Sequence, residues 1–218
     1  MAKRCMLLRA PPGCNTNTRS EHSGHGSMFT GLVRAMGVVV CSGADVVSRS
    51  AGVPLWVASH VVSYGLRPGD SVSICGACMT VCRAVGPMIG ACISYDSIRH
   101  LRMLRCGIAT NVELPTAPSD LLHGTIASGH VVCTGKVMAT RSDGGSVRLA
   151  MGVRRDDGRP IVHKGSIVVD GAALTAIGPE LGGYGWTCSV NLVRATLLRC
   201  SLGTLMVGDD VNIEVPAS

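Results

Sequence analysis

The chain has 218 residues, 46% of them hydrophobic and 16% charged, so it can bury a sizeable core and is not disordered by composition. The net charge of +6 comes from scattered Lys and Arg, and only 3% of residues are aromatic, which argues against a stacking surface for nucleic acid. No apolar run approaches the roughly 20 residues that a membrane helix needs, so a soluble protein is expected.

Residues 1–27 carry Lys3, Arg4, Arg9 and Arg19 against a single acid, Glu21, and end in a polar Ser/Gly/His stretch. They read as a flexible basic extension, with His22 and His25 as solvated residues and Pro11-Pro12-Gly13 breaking any targeting helix. Domain sequence is expected to begin at Met28. From there glycine and valine are frequent, and long runs of Ala, Leu, Glu and Lys are missing, which favours short strands joined by tight turns.

The chain then repeats itself at an interval of about 98 residues. Thr30-Gly31-Leu32-Val33 lies over Ser128-Gly129-His130-Val131. The segment Gly69 to Val81 lies over Lys164 to Ala176 when Gly76 is matched to Gly171. Ser97-Ile98-Arg99 lies over Thr196-Leu197-Leu198, and Asn111-Val112-Glu113 over Asn212-Ile213-Glu214. Each block is an apolar run of strand length bounded by Gly, Pro or Asp, and the glycine after Ile74-Cys75 signals a turn between two strands. Pro115 to Ser119, with two prolines, marks the boundary between halves spanning 28–118 and 119–218. The expected fold is all-β: two similar six-stranded, Greek-key-like β-barrels from an internal duplication, because closure removes sheet edges.

The eleven cysteines lie mostly in strand-like stretches without disulfide spacing, which fits a reducing cytoplasm. Cys75 and Cys78 form a C-x-x-C, but no second pair completes a zinc site. Cys78 reads either as a nucleophile or polar pocket wall, or as a small buried hydrophobe. His130 reads as a general acid or base, or as a structural histidine. Thr80 and Thr175 offer ligand hydrogen bonds, yet threonine is also common in strands. Two similar pockets suit an enzyme that holds two copies of one substrate together, since orientation alone can lower a barrier by about 7–11 kcal/mol at best.

The blocks resemble those of the riboflavin synthases. Met28-Phe29-Thr30-Gly31-Leu32-Val33 is similar to that family's M-F-T-G-I-V, Gly76 to Val81 to N-G-x-C-L-T-V, and Ser128 to Val131 to S-G-H-V. Lys164-Gly165-Ser166-Ile167 through Thr175 resembles K-G-S-I-x-V-D-G-x-S-L-T, and Val207 to Val215 resembles V-G-D-x-V-N-I-E-V. The resemblance runs from about residue 28 to 215.

It implies a cytoplasmic enzyme that dismutates two 6,7-dimethyl-8-ribityllumazine molecules to riboflavin and 5-amino-6-ribitylamino-uracil, without metal or cofactor. It further implies a homotrimer, an association with lumazine synthase, and a reacting pair held between barrels of neighbouring subunits. By the same resemblance Cys78, Ser71 and His130 sit at the reacting pair. One lumazine is lined by Gly31, Leu32 and Val33, by Cys78, Met79 and Thr80, and by Cys92, Ile93, Ser94, Tyr95, Asp96 and Ser97. The other is lined by Gly129, His130 and Val131, by Lys164, Ala173, Leu174 and Thr175, and by Val193, Arg194, Ala195, Thr196, Leu197 and Leu198.

Several positions depart from the family pattern, among them Val193-Arg194-Ala195-Thr196-Leu197 where the family has I-P-x-T-L. Thr125 replaces a histidine, Ala173 the serine of S-L-T, Cys92 an acidic residue, and Pro216 an aspartate; the family's usual C-terminal helix is not expected. A lumazine- or flavin-binding relative without catalysis is the alternative these departures suggest, and a double barrel with Cys75 and Cys78 as a metal clip is a third reading.

Overall fold

A computed structural model of the chain describes residues 28–42, 53–61, 65–122, 124–154, 161–182 and 185–216. The basic extension at 1–27 lies outside the described residues. The rest is almost entirely β, with thirteen strands, two short α-helices and a 3-10 turn at Ser201–Thr204 among the described residues.

In the first half β1 (Ala35–Ser42), β2 (Val53–Ala58), β3 (Ser71–Ile74), β4 (Ala77–Val85), β5 (Met88–Ile93) and β6 (Ala109–Glu113) close into a barrel of order β1-β2-β5-β4-β3-β6. The ladder β1·β6, with Ala35 opposite Val112, completes the closure. Strand alternation explains the core: along β1 Ala35, Gly37 and Val39 are buried while Met36, Val38 and Val40 face out. Helix α1 (Tyr95–Ile98) follows β5, with Ser94 as its N-cap accepting from the Ser97 N–H at 3.1 Å.

The second half contains β7 (Cys133–Asp143), β8 (Ser146–Arg154), β9 (Ser166–Val169), β10 (Ala172–Thr175), β11 (Ile177–Gly182), β12 (Gly185–Leu192) and β13 (Asp210–Glu214), with helix α2 (Arg194–Arg199) after β12. Its sheet has seven strands rather than the expected six, in the order β10-β9-β13-β7-β8-β12-β11. The extra strand has a simple cause. The two ends of this sheet, β10 and β11, are separated only by Ala176, where the first half has the uninterrupted β4 with a bulge between Val81 and Arg83. The Val81 N–H donates to the Asp70 carbonyl at 2.8 Å, and the Ala176 N–H donates to the Gly165 carbonyl at 3.0 Å. The same bend is made twice, and in the second half it interrupts the ladder.

The halves interlock about a local two-fold axis. Phe29 and Ala127, which occupy equivalent places in the repeat, exchange both backbone hydrogen bonds at 2.8 and 2.9 Å. Each half carries a two-residue hairpin turn with left-handed φ values, 48° and 80° at Cys75-Gly76 and 45° and 82° at Asp170-Gly171, as a type I′ turn requires. The turns meet back to back: a Cβ on Gly76 would lie 2.7 Å from the Gly171 nitrogen, and one on Gly171 would lie 2.8 Å from the Gly76 nitrogen. Asn111 and Asn212 bind the turns crosswise, their side-chain amides donating to the carbonyls of Asp170 and Cys75, each at 2.8 Å. Arg102 breaks the symmetry, with its Nε 3.1 Å from Asp170 Oδ1 as an ion pair and its Nη2 3.2 Å from Cys75 Sγ.

Candidate functional site

Two cavities occupy equivalent places in the repeat. The first, about 230 Å³, is lined by Ala77, Cys78, Ile93, Ser97, His100, Leu101, Gly129, His130 and Val131. The second, about 930 Å³, is lined by Gly31, Leu32, Val33, Ala172, Ala173, Thr196, Arg199 and Cys200, together with Arg34, Ala35, Met36, His60, Ala195 and Leu198.

The opening segments are exchanged between halves. Gly129 to Val131 belong by sequence to the second half but wall the first cavity, where the Cys78 N–H donates to the Gly129 carbonyl at 2.8 Å. Gly31 to Val33 wall the second, where the Ala173 N–H donates to the Gly31 carbonyl at 2.8 Å. Val131 packs on the first core and Val33 on the second. The sequence-based grouping set Gly31 to Val33 beside Cys78 and Gly129 to Val131 beside Ala173; the structure pairs them the other way. Crossing requires glycine, because a Cβ on Gly31 would stand 2.5 Å from the Ala173 Cβ and one on Gly129 would stand 2.6 Å from the Cys78 Cβ.

Two carboxylates hold the exchanged segments. Glu113 Oε1 accepts from the Thr30 N–H at 2.8 Å and the Thr30 hydroxyl at 2.9 Å. Glu214 Oε1 accepts from the Ser128 N–H and hydroxyl at the same distances, and its Oε2 accepts from the Gly129 N–H at 3.1 Å. Burial pushes the Glu113 carboxyl up, against the hydrogen bonds from Thr30 and Gly31 and the charge of Arg34. Sequence reasoning gave neither glutamate a site role, although their place in the repeat marks them as a matched pair.

The structure brings Cys78, Ser71 and His130 together. Burial raises the Cys78 thiol, the Ser71 hydroxyl that hydrogen-bonds its sulfur pulls it back down, and the Glu214 charge raises it again. His130 lies on the wall of the same cavity, and its N–H donates to Ser128 Oγ at 3.2 Å. Ile93 and Ser97 also face this cavity; Ser94 instead caps α1, and the side chains of Tyr95 and Asp96 lie outside the described residues.

Several expected lining residues point elsewhere. Met79 is buried in the first core, and Leu174 and Leu197 pack on the second, as strand and helix periodicity require. Thr80 and Thr175 share the strand faces of Cys78 and Ala173 but are exposed beyond the cavities, and Cys92 is half-buried one residue before Ile93. Lys164 is exposed with a left-handed φ of 64°, its N–H donating to the Ala176 carbonyl. Val193 caps α2 and Arg194 is exposed, while Ala195, Thr196 and Leu198 face the second cavity.

His100, Leu101, Arg199 and Cys200 were missed, although carrying the match of Ser97 to Thr196 a few residues further would have found all four. His60, from the loop after β2, has no such signal. Among the described residues no three His, Cys, Asp or Glu side chains form a metal site. Cys75 and Cys78 also diverge, the first buried against Arg102 and the second facing a cavity. No helix among the described residues is long and apolar enough to cross a membrane.

The chain is similar to known proteins. A family model described as a lumazine binding domain matches residues 128–216. The riboflavin synthase of Mycobacterium tuberculosis (strain ATCC 25618 / H37Rv) is 31% identical over 191 residues, covering 86% of this chain and 92% of that protein. That of Saccharomyces cerevisiae (strain ATCC 204508 / S288c) is 28% identical over 194 residues, covering 86% and 82%. Among solved structures, LumP complexed with 6,7-dimethyl-8-(1'-D-ribityl) lumazine superposes with a TM-score of 0.74 at 18% identity, covering 87% of this chain and 99% of that one. LumP complexed with riboflavin gives the same score at 19% identity. At these identities the structural likeness carries the fold.

Proposed function

Since the chain belongs to the riboflavin synthase family, we propose that the two cavities each bind one 6,7-dimethyl-8-ribityllumazine and that the protein dismutates the pair. A four-carbon unit passes from one lumazine to the other, leaving riboflavin and 5-amino-6-ribitylamino-uracil. Every atom of the two substrates reappears in the two products, so the reaction as written needs no oxidant and no added group. The observation that carries this reading is the pair of equivalent cavities, each walled by an exchanged glycine segment bonded to the same position of a matched strand.

The first cavity holds the groups suited to chemistry. The reaction turns on loss of a proton from the activated methyl group of a lumazine, and His130, on the wall of this cavity, takes that proton. Burial raises the Cys78 thiol, so Cys78 donates a hydrogen bond to the charge that develops on the ring while the Ser71 hydroxyl positions its sulfur. The equivalent positions of the second cavity, Ala173 and Leu32, have no such group, and this cavity positions its lumazine as the partner. The first cavity covers only part of a ligand, and a neighbouring subunit of a homotrimer closes it.

The test is turnover of the purified protein with 6,7-dimethyl-8-ribityllumazine, followed by riboflavin absorbance, with subunit mass from light scattering on the same sample. Riboflavin formation supports the synthase. Tight lumazine binding without product marks the second reading, a lumazine or flavin carrier, which Thr125, Ala173 and Pro216 favour.

A further inference from the structure

A third cavity, of about 450 Å³, lies between the two halves and shares no residue with the other two. Cavities that enclose a whole small molecule are about 300–1,000 Å³, so this one is large enough to hold one. Equivalent segments of the repeat build it. Arg102 and Ser201 stand in matching places on its wall, their backbone N–H groups donating to Asn212 Oδ1 at 2.7 Å and to Asn111 Oδ1 at 2.6 Å. By the match of Asn111 to Asn212, Ile108 just before β6 is the counterpart of Asp209 just before β13.

The wall carries polar groups that the protein leaves unmet. Ser201 is 2% exposed, and its hydroxyl has no hydrogen-bond partner among the described residues. Buried hydroxyls are nearly always bonded, so this one marks a place where a polar atom can dock. The charges do not all cancel within the wall either. Arg102 is paired with Asp170, and Asp210 Oδ1 lies 2.7 Å from Lys136 Nζ. Arg105 from the first half and Asp209 from the second form no ion pair among the described residues, with each other or with any neighbour. Met103, Ile108 and Leu205 add apolar surface to the same wall.

We propose that this third cavity binds a free α-amino acid with an apolar side chain. Arg105 and the Ser201 hydroxyl hold its carboxylate, Asp209 holds its ammonium group, and the apolar residues receive its side chain. A zwitterion answers both unpaired charges at once. A simple anion meets the repulsion of Asp209 and a simple cation that of Arg105, so neither fits the wall as well. The proposal stands apart from the reading of the other two cavities, since it uses none of their residues.

The experiment is calorimetric titration of the full chain with L-leucine and L-phenylalanine, and with two truncated probes. These are 4-methylpentanoate, which is leucine without its ammonium group, and 3-methylbutylamine, which is leucine without its carboxylate. At least one of the amino acids is expected to bind with a Kd below about 1 mM, and leucine about tenfold or more tightly than either truncated probe. Arg105→Gln and Asp209→Asn should each weaken amino-acid binding about fivefold or more, and Ser201→Ala about threefold. Thermal midpoints should stay close to wild type in the first two, because Arg105 is exposed and asparagine keeps an oxygen to accept from the Met206 N–H, which Asp209 Oδ2 binds at 2.8 Å. Failure of both amino acids to bind at about 10 mM overturns the site. A truncated probe that binds as tightly as leucine overturns the zwitterion, and an affinity unchanged in all three variants overturns the assignment to these residues.

Discussion

The two halves agree where they touch and differ where they open. At the axis, equivalent residues make equivalent bonds: Asn111 and Asn212 each span 2.8 Å to the opposite turn, and Glu113 and Glu214 grip Thr30 and Ser128 at identical distances. In the cavities Cys78 faces the place of Ala173, His130 that of Leu32, and His100 that of Arg199. The contrast separates two kinds of constraint. Backbone groups packed closer than a Cβ can tolerate admit no drift, whereas a cavity wall made of backbone bonds lets its side chains diverge without loss of the fold.

The sharpest way to break that contrast is to place a side chain on the axis. Gly171→Ala should cost about 3 kcal/mol or more in denaturant unfolding, because its Cβ would stand 2.8 Å from the Gly76 nitrogen at a φ of +82°. Gly76→Ala should cost nearly the same, its Cβ 2.7 Å from the Gly171 nitrogen at a φ of +80°. A loss at one glycine and not the other would show that the axis is less symmetric than its bonds.

The turn residues sharpen the contrast through pH. Burial pushes the Asp170 carboxyl from 3.8 to about 6, with Arg102 opposing. A folded value above the unfolded one stabilises the native state below the unfolded pKa, and that contribution is lost as pH rises through the folded value. Asp170 should therefore remove about 2–3 kcal/mol between pH 4 and pH 6.5, and Asp170→Asn should flatten this part of a stability profile. Cys75, at the equivalent turn position, is held neutral by burial, with its thiol pushed up to about 11, and should contribute nothing there.

In the cavities the effects fall on activity. Cys78→Ala and His130→Ala should each cut lumazine turnover by more than about tenfold while denaturant midpoints stay close to wild type. Changes within a factor of two in both would remove these residues from the reaction. The smallest effect belongs to the opposite wall: Leu32→Gln should shift turnover by less than about threefold, since that exposed side chain donates nothing to the proposed chemistry.

The repeat made much of this architecture legible in sequence. The glycine turns at Gly76 and Gly171 follow from matching the blocks, whereas the meeting of Cys78 with His130 was implied only by the family resemblance. Met79 and Leu174 could have been turned toward the cores by strand alternation alone. The exchange of opening segments could not be read, because swapping Gly31 to Val33 for Gly129 to Val131 leaves each strand's pattern unchanged and shows only in which half each segment contacts. The interruption at Ala176 was equally hidden, since Val81 and Ala176 are both small apolar residues in the same place. Arg199 was missed because the match was ended at Leu198.

The exchange also sets an order on folding. During synthesis the segment around Gly31 emerges first, yet its partner strand at Ala173 emerges only when most of the second half has been made. The wall at Gly129 instead finds Cys78 already waiting. The first cavity can therefore form while the chain is still being extended, whereas the second depends on a long-range contact whose loop-closure entropy is met last. Until that contact forms, Gly31 to Val33 have no partner strand, and the carboxyl-terminal sheet is completed by residues made well before its own strands.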